Sequence, residues 1–152
     1  MDGARGVTYF WALNDICTEL DVKTLVDSFY DRVNRDELLG PVFNDVAKVD
    51  WEHHLPTMYS FWNTMLFRTG EYSGRPWPKH EVLPLRKELF ERWVKLFCET
   101  VDSLFAGPKA SEAKARALSI ADTFQTRAGI FNPLLYQQAS GAKPDPLKLT
   151  SG

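Results

Sequence analysis

An all-α fold is predicted by three observations. Apolar residues recur at spacings of three and four through four long stretches of the chain. Proline and glycine cluster between those stretches, where they end helices. No run shows the two-residue alternation bounded by turn residues that marks a strand. The 152 residues are enough for one domain with a real core.

The elements follow in order. Residues 1–20 read as an N-terminal extension of mixed composition. Asp21 is a good N-cap for a helix whose apolar face is Val22, Leu25, Val26, Phe29, Tyr30 and Val33. That pattern stops at Gly40-Pro41, leaving Val42-Phe43 as an apolar plug in a connector. Asp50 is placed to cap a second helix, which aligns Trp51, Leu55, Met58, Trp62, Met65 and Leu66 and ends at Gly70. Gly70, Gly74, Pro76, Pro78 and Pro84 then crowd a segment that holds His80, so His80 is expected on a short turn. Pro84 suits the first turn of a third helix, with Leu89, Phe90, Trp93, Leu96, Phe97, Val101 and Leu104 as its stripe. Gly107-Pro108 closes it, and Ala113, Ala117, Ile120, Ala121, Phe124 and Ala128 mark a last helix ending before Pro133. One domain is expected over 21–137, followed by a disordered tail at 138–152 that contains Pro144 and Pro146.

Composition narrows the function. The net charge of −2 and pI near 5.9 give no basic excess to neutralise phosphates, which argues against nucleic acid as the main partner. The apolar run Tyr9 to Leu13 is five residues, too short for a membrane span or a signal-peptide core, so a cytoplasmic location without a membrane partner is expected. Cys17 and Cys98 are far apart and read as reduced thiols. Aromatic residues make up 13% of the chain, more flat apolar surface than a small helical core needs, which points to a large apolar ligand. Phosphate loops, GxSxG, HExxH and sensibly spaced Cys–His pairs are all missing from the sequence. Glu88, Glu91 and Glu99 read as a solvated helix face.

Few residues can carry chemistry. Neighbouring helical residues differ by about 100° of rotation. His54 therefore borders the apolar stripe, while His53 groups with Thr57 and Ser60 on the polar side. His54 taken alone is either a half-buried histidine with a backbone partner or the rim of a pocket. His80, between Lys79 and Glu81, is either solvated or a metal ligand. Tyr30 and Trp93 are core anchors or hydrogen-bond donors aimed at a ligand. Phe43 reads alone as a hydrophobic plug and Met58 as core filler. A histidine on a connector facing a second histidine on a helix is one way an all-α protein grips haem iron.

The separate signals combine in a fixed order. Phe29-Tyr30 precedes Gly40-Pro41-Val42-Phe43, and Trp51-x-x-His54 is followed seven residues later by Phe61-Trp62. Gly70-x-Tyr72-x-Gly74-x-Pro76, His80 and Phe90-x-x-Trp93 complete the series. Over about Asp21 to Phe131 this order resembles the group III truncated haemoglobins, as does the lack of the paired glycines that other truncated groups carry. The resemblance implies a two-over-two helical sandwich around haem b. It implies His80 as the proximal iron ligand, His54 as the distal histidine, and Tyr30 and Trp93 as polar distal residues beside Phe29. Phe43 would pack on the haem, and Met58, Phe61, Trp62, Tyr72, Lys79 and Phe90 would line its pocket, with Met58 packing rather than coordinating. No CxxCH is present for covalent attachment.

The function implied is reversible binding of O2, CO and NO at a five-coordinate iron. The alternative is a haem enzyme for NO dioxygenation or peroxide turnover, fed by an external reductase. A more remote one is a cofactor-free helical interaction domain. His54 is expected to gate ligand access, with a pH dependence between about 5.5 and 7.5, where imidazole titrates.

Overall fold

The computed structural model describes residues 13–74, 76–81 and 83–130. Among them the chain forms α1 (Glu19–Arg35), α2 (Leu39–Pro41), a π-helical turn (Val42–Val46), α3 (Trp51–Phe67), α4 (Trp77–Glu81), α5 (Lys87–Leu104) and α6 (Pro108–Arg127). No strand occurs among the described residues, as predicted. α1 packs on α3 and α5 on α6, and α1–α5 and α3–α6 contacts join the two pairs into a two-over-two arrangement. None of these helices is long and apolar enough to cross a membrane.

The core is the inner faces of the four long helices. Val22, Leu25, Val26, Phe29 and Val33 of α1 meet Leu66 of α3, Phe97 and Val101 of α5, and Ala113 and Ala117 of α6. The alanines of α6 let it sit close to its neighbours. Burying each of the larger side chains contributes about 1.5–3 kcal/mol.

The structure moves several boundaries. Thr18, not Asp21, is the N-cap of α1. Asp21 lies three residues on and completes a capping box, its carboxylate accepting from the Thr18 N–H at 3.0 Å while the Thr18 hydroxyl accepts from the Asp21 N–H at 3.2 Å. The packed body also begins before residue 21. Ile16 is in the core, and the Asp15 carboxylate accepts from the Lys109 and Ala110 N–H groups at 2.9 and 2.8 Å. A residue remote in sequence thus caps α6, whose own N-cap, Gly107, has no side chain to do so. Residues 1–12 of the expected extension and the expected tail lie outside the described residues.

Gly40-Pro41 does not stop the helical path. Gly40 donates to the Asp36 carbonyl at 2.8 Å, and a Cβ on it would meet the Asn34 carbonyl at 3.1 Å, so glycine allows α2 to fold tightly against the end of α1. The π-helical turn follows, closed by Ala47 N–H to the Val42 carbonyl at 2.8 Å, so Phe43 rides on a helical turn rather than an irregular plug. Asp50 is the N-cap of α3, as expected, although its carbonyl rather than its side chain takes the His54 N–H at 2.8 Å. α3 ends at Phe67 with Arg68 left-handed, before Gly70. Pro84 precedes α5, which starts at Lys87 behind N-cap Arg86. Pro108 opens α6 instead of closing α5.

Candidate functional site

Three elements converge on one aromatic cluster. α1 turns Phe29 and Tyr30 inward, α3 contributes Trp51 and His54, and the π-helical turn contributes Phe43. The Tyr30 ring is central, with centroids 5.2 Å from His54, 5.3 Å from Trp51, 5.9 Å from Phe43 and 4.9 Å from Phe29. Phe43 stacks on Trp51 at 6.0 Å. The Trp51 indole N–H donates to Asn44 at 2.8 Å, and Asn44 in turn donates to Asn34 and to the Gly40 carbonyl, both at 2.9 Å. This network fixes the first turn of α3 against the end of α1. Arg92 fixes the other side, pairing with Asp36 at 2.6 Å, while Asp36 caps Leu38 and Leu39.

Burial pushes the Tyr30 hydroxyl far above its ordinary pKa, and no other influence offsets it, so the group is a protonated donor at neutral pH. His54 Nε2 is fully buried and has no hydrogen-bond partner among the described residues. Such an orphan is costly in a finished core and ordinary where a ligand is to be received. Burial, with lesser contributions from the charges of His80, Lys79 and His53, lowers His54 to about 4. The imidazole is therefore neutral between 5.5 and 7.5, and the pH dependence expected there is displaced to more acid values. His53 is exposed, as its helical position predicts.

His80 lies on α4, a single turn of helix within the short connector where a turn is expected. Pro78 is tolerated there because the first turn needs no intrahelical N–H. The imidazole Nδ1–H donates to the Pro76 carbonyl at 2.6 Å, which leaves the Nε2 lone pair free. Burial lowers the His80 pKa, the Pro76 bond opposes this and Lys79 adds to it; the net direction is down. His80 is thus a neutral imidazole with one nitrogen tethered, the state in which histidine binds a metal.

The remaining expected residues spread over two neighbouring groups. Phe29 meets Trp93 edge-on at 5.7 Å; Trp93 stacks on Phe97 at 5.8 Å, and Phe97 on Trp62 at 4.8 Å. Phe29 therefore stands between Tyr30 and Trp93. Phe61 meets Trp62 at 5.4 Å and Tyr72 at 5.2 Å, with Tyr72 N–H drawn to the Thr64 hydroxyl at 3.0 Å. Met58 is half-buried against the same core. Phe90 belongs to a separate cluster with Val94, Cys98 and Ala121. Lys79 is exposed and acts on both histidines only through its charge.

A groove of about 450 Å3 runs between α1 and α3, lined by Lys23, Asp27, Tyr30, Trp51, Leu55 and Tyr59. It lies on the outer side of Tyr30 and does not include either histidine of the site. Its charges are already spent internally, since Lys23 pairs with Asp27, which also takes the Tyr59 hydroxyl. Sequence reading passed over Trp51, Asn44, Trp77 and Phe124 as site residues. Trp51 and Phe124 were visible as stripe positions, and Trp77 as the residue three before His80.

The family model of the bacterial-like globins matches residues 12–126. The chain is a bacterial-like globin. The globin is 34% identical to the group 3 truncated hemoglobin ctb of Campylobacter jejuni over 108 residues, which cover 68% of this chain and 85% of that protein. It is also similar to the crystal structure of group III truncated hemoglobin from Campylobacter jejuni, with a TM-score of 0.68, 34% identity and coverage of 74% of this chain and 91% of that one. This globin is accordingly a group III truncated haemoglobin, and its family implies a haem protein with small diatomic ligands.

Proposed function

We propose that this globin holds haem b between His54 and His80 and reversibly binds O2 and the related diatomics CO and NO. The observation that carries the reading is the pair of neutral imidazoles. His80 has one nitrogen tethered to Pro76 and the other free, and His54 has a buried nitrogen without a partner among the described residues. Among the described residues, no group of three or more His, Cys, Asp or Glu side chains could hold a bare metal ion. A lone histidine ligand suits an iron that arrives with its own macrocyclic nitrogens. The aromatic rings of Phe43, Phe61, Trp62 and Tyr72 fit a flat apolar group in the same way.

When bound, the haem iron supplies a site for the diatomic ligand and pushes electron density onto it. The chain supplies the rest. His80 would be the proximal ligand, its Pro76 bond fixing the tautomer and adding basicity. Tyr30 and Trp93 would be the distal donors, on either side of Phe29. A preorganised donor in a dry site stabilises a partly negative ligand more than it would in water. His54, neutral and half-buried, would stand beside that ligand and control access to it. Met58, Phe61 and Phe90 would keep water out.

Absorption spectra of the ferric, ferrous and CO-bound protein test the reading. The expected result is a haem spectrum that converts reversibly on CO addition. Apoprotein that takes up no haem would overturn it and leave a helical interaction domain.

A further inference from the structure

α4 has five residues, and a single helical turn cannot stabilise itself. Its position must come from what it packs against. Trp77 and His80 are three residues apart and so share one face of the turn. Both meet one residue on α6. The Phe124 ring is 4.8 Å from the His80 imidazole, tilted by 47°, and 5.4 Å from the Trp77 indole, tilted by 55°. Phe124 is itself seated against the Phe90, Val94, Cys98 and Ala121 cluster, which ties it to α5.

We propose that Phe124 is the positioning residue of the proximal histidine, setting the plane of the His80 imidazole and anchoring α4 to the α5–α6 pair. The inference rests on His80 being the iron ligand. Two restraints act on that ring. The Pro76 carbonyl holds Nδ1 at 2.6 Å, which limits the direction of one edge. The Phe124 ring bears on the imidazole itself and resists rotation about the Cβ–Cγ bond. Together they aim the free Nε2. With Phe124 gone, the hydrogen bond stays within α4 and its approach, and so cannot hold the turn to the rest of the molecule.

The test uses the full haem-loaded chain with Phe124→Leu, Phe124→Tyr and Phe105→Leu. Leucine keeps apolar volume but not the flat ring, so the variant folds even where Phe124→Ala does not. Phe105, buried in the link between α5 and α6, controls for general loosening. The readouts are the iron–histidine stretching band of the ferrous protein by resonance Raman and the rate of haemin transfer to excess apoglobin acceptor. Phe124→Leu should shift or broaden the band and speed haemin transfer about tenfold, the scale of losing an aromatic contact next to a ligand. Phe124→Tyr should match the unmodified protein in both. An unchanged band and transfer rate in Phe124→Leu would overturn the proposal, as would an equal change in Phe105→Leu. A band that survives His80→Ala overturns the ligand assignment beneath it. A band that needs His80 but ignores Phe124 overturns only the positioning role.

Discussion

Replacing Tyr30 with phenylalanine should weaken ligand retention and leave the stability of the haem-free protein little changed. The ring is almost wholly buried, at 6% exposure, and burial alone governs the hydroxyl. The ring contacts with Phe29, Phe43, Trp51 and His54 survive in phenylalanine. The haem-free variant should keep the parent's stability to within about 1 kcal/mol, because the ring contacts are retained. The haem-loaded variant should lose O2 faster. A hydrogen bond to a charged acceptor is worth about 1.5–3 kcal/mol, or roughly tenfold to a hundredfold in the dissociation rate. CO carries less charge and should be affected less. Stopped-flow displacement of O2 by CO, and of CO by NO, gives the two rates, and urea unfolding of the apoprotein gives the stability. Equal acceleration for both gases would refute the polar role in favour of sterics. An apoprotein destabilised by more than about 1 kcal/mol would show that the hydroxyl serves the fold instead.

His80→Ala should abolish or severely weaken haem retention while His53→Ala leaves it intact, as read from the absorption spectrum after gel filtration. His54→Ala should change the CO association rate measured by flash photolysis more than it changes O2 dissociation. In the parent that rate should be flat between 5.5 and 7.5, because His54 is held neutral down to about 4. The same depression means that stability tied to neutral His54 is complete above its unfolded value of 6.5 and is lost as the pH falls towards 4, a slope that His54→Ala should remove from acid unfolding curves. Asp15→Ala should destabilise the apoprotein by about 1–2 kcal/mol in urea, the cost of an N-cap. Burial raises the Asp15 pKa, but its bonds from Lys109, Ala110 and Ile16 outweigh this and hold it below 3.8, so its contribution is present above that pH and disappears on further acidification.

Much of the site was legible in the sequence because helical periodicity fixes which side of a helix a residue faces. One step of rotation separates exposed His53 from half-buried His54. The same reasoning put Phe29, Tyr30 and Trp62 inside. The errors fell where short-range signals are ambiguous. Proline reads as a breaker, yet Pro41, Pro78 and Pro108 each sit within a helix, at or near its start in two of the cases, because a first turn has no N–H to lose. Asp21 was mistaken for the cap because both members of a capping box are good caps alone.

The sequence by itself determined the helical class and the inward faces of the helices, since these depend on residue type and spacing. Tertiary structure decided the relations across the fold. It put Asp15 on the N-terminus of α6, 94 residues away, and Phe29 between Tyr30 and Trp93. It set Trp77 and His80 against Phe124, and gave His54 a buried nitrogen with no partner among the described residues. Periodicity says which way a side chain points from its own helix axis. What it meets there depends on how the helices cross, and that is settled only when the whole core packs at once.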